Sequence, residues 1–196
     1  NGMAGAAAGI AENVRFIKRC RQASDPQLGA SFGLHAALTV SDETLEASRA
    51  AITGLGAGFH IHVAEDKVDE DESLRKYNLR VVERLQKFGI LGPKTLAIHC
   101  VHLDAFEKDI LRETGTLVTH QPRSNMNNGV GVAQVEQMLE MGVRVCLGND
   151  GFSNSMWDEW KAAWLLHKNE HHDPRRMDSS DVIQMAVYNN AALANA

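Results

Sequence analysis

An α/β fold of the (β/α)8 TIM-barrel kind, with parallel strands each followed by a helix, is predicted by three observations. Five apolar runs that read as strands, starting near residues 29, 59, 95, 116 and 143, alternate with segments of helical periodicity. Connections of that length join parallel strands through right-handed crossovers. The spacing is close to the roughly 31 residues per unit of a 250-residue eightfold barrel, and a doubly wound open sheet would fit it as well. The third observation separates the two: His35, His60, His62, His99, His102, His120 and Asp150 all lie at or near the carboxyl ends of these runs. In an open sheet five neighbouring strand ends spread over roughly 19 Å, too far for donors sharing one metal at about 2 Å. Closing the sheet gathers them around one mouth, the face where barrel enzymes keep their chemistry.

Taken in order, residues 8–22 carry Ile10, Val14 and Ile17 at helical spacing, with Arg15, Lys18 and Arg19 opposite, an amphipathic helix. After the Asp25-Pro26 break, residues 28–34 form a strand weakened by Gly29 and Gly33 that delivers His35 at its end. Ser41 reads as the N-cap of a helix running to about Thr53, with Asp42 and Glu43 in its first turn. Gly54, Gly56 and Gly58 end it, and residues 59–63 form the next strand. An acidic loop leads to one long helix with Leu74, Tyr77, Val81, Leu85 and Phe88 on one face, closed by Gly89. Residues 95–98 are a strand running into His99-Cys100-Val101-His102.

Asp104 and Glu107 start a helix as a capping box, Gly115 stops it, and residues 116–119 are a strand delivering His120. Residues 121–131 read as a polar loop, and Val132, Val135, Met138 and Leu139 as a short helix ended by Gly142. Residues 143–148 are a strand delivering Asn149-Asp150-Gly151. The remainder reads as helical, with Trp157, Trp160 and Trp164 packing one helix and residues 182–194 forming another beyond His171-His172-Asp173-Pro174. No internal repeat or low-complexity linker divides residues 1–196, which are expected to form a single domain.

Composition narrows the class. The 196 residues, 44% hydrophobic and 23% charged, suffice for one sizeable core. A net charge of -5, with only short basic clusters at Lys18-Arg19 and Arg175-Arg176, offers no footprint for nucleic acid or an anionic membrane. Cys20, Cys100 and Cys146 contain no CxxC pair, which suggests a reducing compartment, the cytoplasm by default. No run approaches the roughly 18 apolar residues of a membrane span, and the Ala-rich start lacks the pattern of a signal peptide.

The chemistry centres on His60-Ile61-His62-Val63-Ala64-Glu65. Side chains at i and i+2 of a strand share a face, so His60 and His62 point the same way and Glu65 falls just past the strand end. The segments HIHVAE (60–65), IHCVHL (98–103), VTHQPRSNM (118–126) and LGNDG (147–151), in this order and spacing, resemble the amidohydrolase superfamily. Within it they look like the aminohydrolase and chlorohydrolase branch, which includes cytosine, guanine and S-adenosylhomocysteine deaminases and the triazine hydrolases. NMNNGVG and the stretch from LGNDG to LLHK most resemble its SsnA-like aminohydrolases.

That resemblance implies a metal-dependent hydrolase of non-peptide C–N bonds, a deaminase of a small N-heterocyclic substrate. The alternatives are chlorohydrolase-type release at the same site, or a silent binding or scaffold relative. It implies one divalent metal, zinc or else Fe2+, held by His62 and Asp150. Asp150 would also take a proton from water, Glu65 would carry a proton to the ring nitrogen and leaving ammonia, and His99 would polarise the attacked carbon or steady the tetrahedral intermediate. His35, His120 and Asn125 are the candidate substrate contacts, while Gln121 and Arg123 stand where many relatives differ. His60 is expected inside the barrel one layer below His62, His102 toward solvent or the next loop, Cys100 toward the helices, and His171 and His172 at the surface.

The family's first-strand His-x-His pair has no counterpart before residue 28. The resemblance therefore implies a fragment, strands four to eight of the barrel domain, without strands one to three and the flanking β-domain. It is expected to bind metal weakly, turn over little and self-associate through exposed strand edges.

Overall fold

The computed structural model describes residues 2–23, 25 and 27–194, so Pro26 of the expected break lies outside the described residues. Five strands, β1 (Phe32–Ala36), β2 (Phe59–Val63), β3 (Leu96–His99), β4 (Leu117–His120) and β5 (Val145–Leu147), form one sheet. Every pair is parallel and the spatial order is the chain order. A doubly wound sheet reverses its order at a switch point, whereas unbroken order with right-handed crossovers keeps the helices on one side. The sheet is therefore an arc of a (β/α)8 barrel. Its convex side is the core: Phe59, Ile61 and Val63 of β2, with Ala97, Val118 and Val145 from its neighbours, are buried. His60, His62, Leu96, Ile98, Thr119 and Leu147 line a cavity of about 640 Å³ on the other side.

Helix α1 (Gly2–Ala23) buries Ile17 and Cys20, as its periodicity predicts. Its Asn13 amide donates to Gly33 O (3.1 Å) and accepts from Gly33 N (2.8 Å), so a side chain covers part of the outer edge of β1. The first strand runs over Phe32–Ala36, not residues 28–34, because Phe32 N pairs with Gly58 O at 2.8 Å and sets the register. His35 consequently lies within the strand rather than beyond it. Gly58 tolerates no side chain, since a Cβ there would overlap the backbone carbonyl of Lys94. At the other edge Asn190 pairs with both backbone groups of Leu147 (3.1 and 2.9 Å), and Asn189 donates to Val145 O (2.7 Å).

Helix α2 (Asp42–Ile52) starts at the expected N-cap, with Thr44 N donating to Ser41 Oγ. The single long helix expected before β3 is two, α3 (Lys67–Tyr77) and α4 (Val81–Lys87). Asp66 caps α3 in a box with Asp69, which makes the acidic "loop" a helix start, and Asn78 ends it in the left-handed region (φ 54°). Helix α5 (Ala105–Thr114) keeps its predicted Asp104–Glu107 box and its Gly115 stop. The expected polar loop at 121–131 contains α6 (Pro122–Asn128), begun by a proline at its first position. Helices α7 (Val135–Glu140), α8 (Met156–His171), α9 (Ser179–Ile183) and α10 (Asn190–Ala194) follow, the last two joined by a π-helical turn, Gln184–Asn189. Of the three tryptophans, Trp160 lies against the core and meets the Trp157 ring (centroids 4.9 Å apart), while Trp157 is 70% exposed and Trp164 43%.

A buried charge cluster joins α3, α4 and α5. Glu70 and Glu107 are buried, and Arg80 donates to Glu107 Oε2 at 2.7 Å while standing 3.6 Å from Glu70 Oε1. Burial first, and the Glu107 charge second, push Glu70 up to about 8. A carboxyl raised above its unfolded value contributes stability that is full below about pH 4.5 and lost as pH rises through about 8. The thermal midpoint should therefore fall between pH 6 and pH 9, and Glu70→Gln should flatten that fall. An unchanged slope in the variant would remove Glu70 from the account.

Candidate functional site

Four side chains meet at the carboxyl ends of β2, β3 and β5. His62 comes from β2, Glu65 from the turn after it, His99 from the last residue of β3, and Asp150 from the turn after β5. His99 Nε2 lies 3.2 Å from His62 Nδ1, 3.3 Å from Glu65 Oε2 and 3.8 Å from Asp150 Oδ2. Glu65 Oε2 is 3.6 Å from His62 Nδ1. His99 is wholly buried, while the other three are partly exposed toward the mouth.

Local backbone makes this convergence. Val63 and His99 are register partners, and pleating alone would aim both at the helices. His99 (φ 72°) and Cys100 (φ 53°) instead occupy the left-handed region, as do Ala64 (φ 46°) and Asp150 (φ 49°). Such conformations are uncommon for residues with a side chain and cluster at functional sites. The turned segments are tied together, with Cys100 N donating to Val63 O and Val101 N to Ala64 O, both at 3.0 Å.

Helix α6 stands behind the cluster. Ser124 Oγ donates to Asp150 Oδ2 (2.5 Å), Asn125 Oδ1 meets His99 Nδ1 (2.9 Å), and Asn128 Nδ2 donates to Glu65 Oε1 (3.1 Å). Glu65 N also donates to Asp69 Oδ2 at 2.9 Å. Two imidazoles and two carboxylates around a partly buried centre are the nitrogen and oxygen donors that zinc or ferrous iron accepts. Donor atoms of His62, Glu65 and His99 all fall within 4.8 Å of one another, so the donor set fits a divalent cation.

The other sequence candidates are distributed differently. His35 is exposed and stacks on the His62 ring (centroids 5.8 Å apart, 16° between planes), with its Nδ1 at 3.2 Å from Thr39 Oγ1. His60 shares the cavity with His62, and burial, then the His62 ring, lower its pKa. His102 donates to Val130 O (2.8 Å) in the next loop, and Cys100 is buried in the core. His171 is partly exposed beside Glu136, and His172 is exposed at the end of α8.

Two candidate substrate contacts stand outside the cavity. His120 does not face the cavity: it keeps the strand's alternation, so Thr119 points inward and His120 packs outward, its Nε2 3.4 Å from His167 Nε2 of α8. Burial holds both rings uncharged, His120 well below its ordinary value and His167 at about 4. Asn125 is fully buried behind His99 and does not line the cavity. Arg123 is engaged by buried Glu159 (2.5 Å), whereas Gln121 lines the cavity beside Thr119. The sequence reading missed Ser124, Asn128 and His167; Pro122 at a helix's first position was the signal for the first two.

Comparison with known proteins adds the following. The amidohydrolase family matches residues 6–196. The 5'-deoxyadenosine deaminase of Methanothermobacter thermautotrophicus is 37% identical over 186 residues, covering 93% of this chain and 44% of that protein. The 5-methylthioadenosine/S-adenosylhomocysteine deaminase of Acetivibrio thermocellus is 32% identical over 180 residues, 90% of this chain and 42% of that protein. Among solved structures, an adenosine deaminase from Xanthomonas campestris with bound zinc superposes with a TM-score of 0.87 at 25% identity, over 94% of this chain and 43% of that one. The Escherichia coli guanine deaminase superposes at 0.82 with 20% identity, over 97% and 44%, and shares the fold. The chain thus spans less than half the length of the curated relatives it matches.

Proposed function

The chain belongs to the amidohydrolase family, and from that membership we propose that the whole enzyme is a metal-dependent hydrolase of non-peptide C–N bonds that deaminates a purine nucleoside of the adenosine type. The observation that carries this reading is the meeting of His62, Glu65 and Asp150 within 4 Å of His99 Nε2 (3.2, 3.3 and 3.8 Å) at one barrel mouth. The curated relatives support deamination over chloride release, since both named above are adenosine-derivative deaminases.

In this reading His62 and Asp150 contribute to holding one divalent metal, preferentially zinc. When bound, such a cation supplies Lewis-acid activation of water near neutral pH. Asp150 takes a proton from the attacking water as its oxygen bonds to the ring carbon bearing the amine. Glu65 gives a proton to the neighbouring ring nitrogen. His99 Nε2 accepts a hydrogen bond from the new hydroxyl and steadies the tetrahedral carbon. As the C–N bond breaks, the proton held by Asp150 passes to the departing amine, which leaves as ammonia, and the hydroxyl returns a proton to Glu65, leaving a carbonyl on the ring. His35 and His60 flank His62 from either side and would border the bound base.

Residues 1–196 would then supply strands four to eight, with the remaining strands, a flanking β-domain and the other metal ligands coming from the rest of the protein. Among the described residues no helix is long and apolar enough to cross a membrane, and we place the whole enzyme in the cytoplasm, self-associating, with a small heterocycle as its substrate. Incubating zinc-loaded full-length protein with 5'-deoxyadenosine, 5-methylthioadenosine and S-adenosylhomocysteine should release ammonia from at least one. No release from any, with metal bound at about one per chain, would overturn the assignment. The 196-residue chain alone, dialysed against metal-free buffer, should keep close to none by elemental analysis. About one metal per chain there would mean that the site is completed locally or by a second copy.

A further inference from the structure

We propose that α6 is the element that sets the reaction centre, with Ser124, Asn125 and Asn128 as positioning residues for Asp150, His99 and Glu65. This rests on the reading of those three as the reacting groups. The three α6 residues occupy adjoining positions on one side of a short helix, Ser124 and Asn128 four apart and Asn125 between them. Each makes one bond to a different member of the cluster, at 2.5, 2.9 and 3.1 Å. Ser124 and Asn125 are buried behind Asp150 and His99, and Asn128 reaches Glu65 from the exposed end of the helix, so each acts through the side chain it bonds.

Donor and acceptor chemistry fixes what each bond does. A carboxylate only accepts, so Ser124 Oγ–H donates to Asp150 and Asn128 Nδ2–H to Glu65. Asn125 Oδ1 also only accepts, so it places the His99 proton on Nδ1 and leaves Nε2, which stands 3.2 Å from His62 Nδ1 and faces Glu65 and Asp150, as an acceptor for the His62 N–H. Without that bond the proton is free to move to Nε2, where it would point at the two carboxylates. The Asn128 bond takes Glu65 Oε1, which leaves Oε2 toward the centre.

The helix is itself anchored at both ends. Arg123 donates to Glu159 Oε1 (2.5 Å), a fully buried carboxylate of α8, and its guanidinium also reaches Ser153 O at 3.1 Å. At the far end Val130 N returns to Asn125 O (3.2 Å) and His102 holds Val130 O (2.8 Å). His102, an unassigned member of IHCVHL, thereby gains a place in the arrangement.

In the zinc-loaded full-length enzyme, Ser124→Ala and Asn125→Ala should each lower kcat about 10–100-fold with KM changed less than about threefold. Ser124→Thr and Asn125→Asp, which keep the hydroxyl and the acceptor oxygen, should recover most of the loss. A loss that these variants do not recover, or kcat within about twofold of the parent, would overturn the proposal. A readout free of turnover separates it from the function itself. In protein labelled with 15N-histidine, the His99 signal, identified by its absence in His99→Gln, should report Nδ1–H, and Asn125→Ala should shift it toward Nε2–H. If the parent enzyme deaminates nothing, this spectrum still decides the role of Asn125. If the parent deaminates and Asn125→Ala leaves the spectrum unchanged, the positioning role falls and the function stands.

Discussion

Replacing Glu65 with Gln in the full-length enzyme should lower kcat by about 10²–10⁴-fold, the range that general acid–base groups contribute, with the metal retained. The amide has the shape of the carboxylate, and its oxygen still accepts from Asn128 Nδ2, so the hydrogen bond now measured at 3.1 Å survives. What is lost, on the proposed mechanism, is the ability to give a proton to the ring nitrogen and take one back as ammonia departs. Elemental analysis beside the kinetics decides a second point. Glu65 Oε2 lies within the donor cluster with His62 and His99, while the family resemblance makes it a proton carrier. Lost turnover with metal retained supports the carrier, lost turnover with lost metal makes Glu65 a ligand, and unchanged turnover removes it from the mechanism.

The parts of this site that the sequence revealed are those governed by the period-two alternation of strands. His60 and His62 share a face because they are two apart, and both border the cavity as expected. The same rule misleads wherever the backbone leaves it. His99 follows Ile98, which faces the cavity, so alternation alone would send His99 outward; the left-handed turn at 99–100 accompanies its return to the mouth. His120 follows Thr119 in the same way but has no such turn, and it stays against α8. Two histidines one residue past an inward-facing position thus end on opposite sides, and only backbone dihedrals separate them. The positioning residues were hidden for another reason. QPRSNMNN is polar throughout, and a seven-residue helix has too few turns to display an apolar stripe, so Pro122 was its sole marker. Asn78 divided α3 from α4 by its left-handed conformation, a role more often given to glycine.

The largest effect on stability should come from Arg84→Ala, at about 3–5 kcal/mol by urea denaturation. Arg84 is 1% exposed on α4, and its guanidinium donates to Asp42 Oδ1 (2.8 Å), Ala37 O (2.9 Å) and Val40 O (2.6 Å). It also lies over the Tyr77 ring, 3.8 Å from the centroid. One side chain therefore satisfies the carbonyls of the turn after β1, the first-turn carboxylate of α2 and the aromatic end of α3. Truncation strands two carbonyls, each worth about 1–3 kcal/mol when left without a partner, and opens a cavity besides. Asp42→Ala should cost less, about 1 kcal/mol, because Asp42 is 32% exposed and Arg84 keeps both carbonyls. Arg84→Lys should fall between, since an ammonium retains the charge but cannot span three acceptors with a planar fork. If Arg84→Ala and Asp42→Ala proved equal, the ion pair alone would carry the stability and the carbonyl bonds would be incidental. The expected inequality matters to the site because the pinned turn follows β1 directly, and β1 carries the His35 ring stacked on His62. Loosening α4 from that turn should thus disturb the wall beside His62 before it reaches Glu65, His99 or Asp150, which α6 holds from the opposite side.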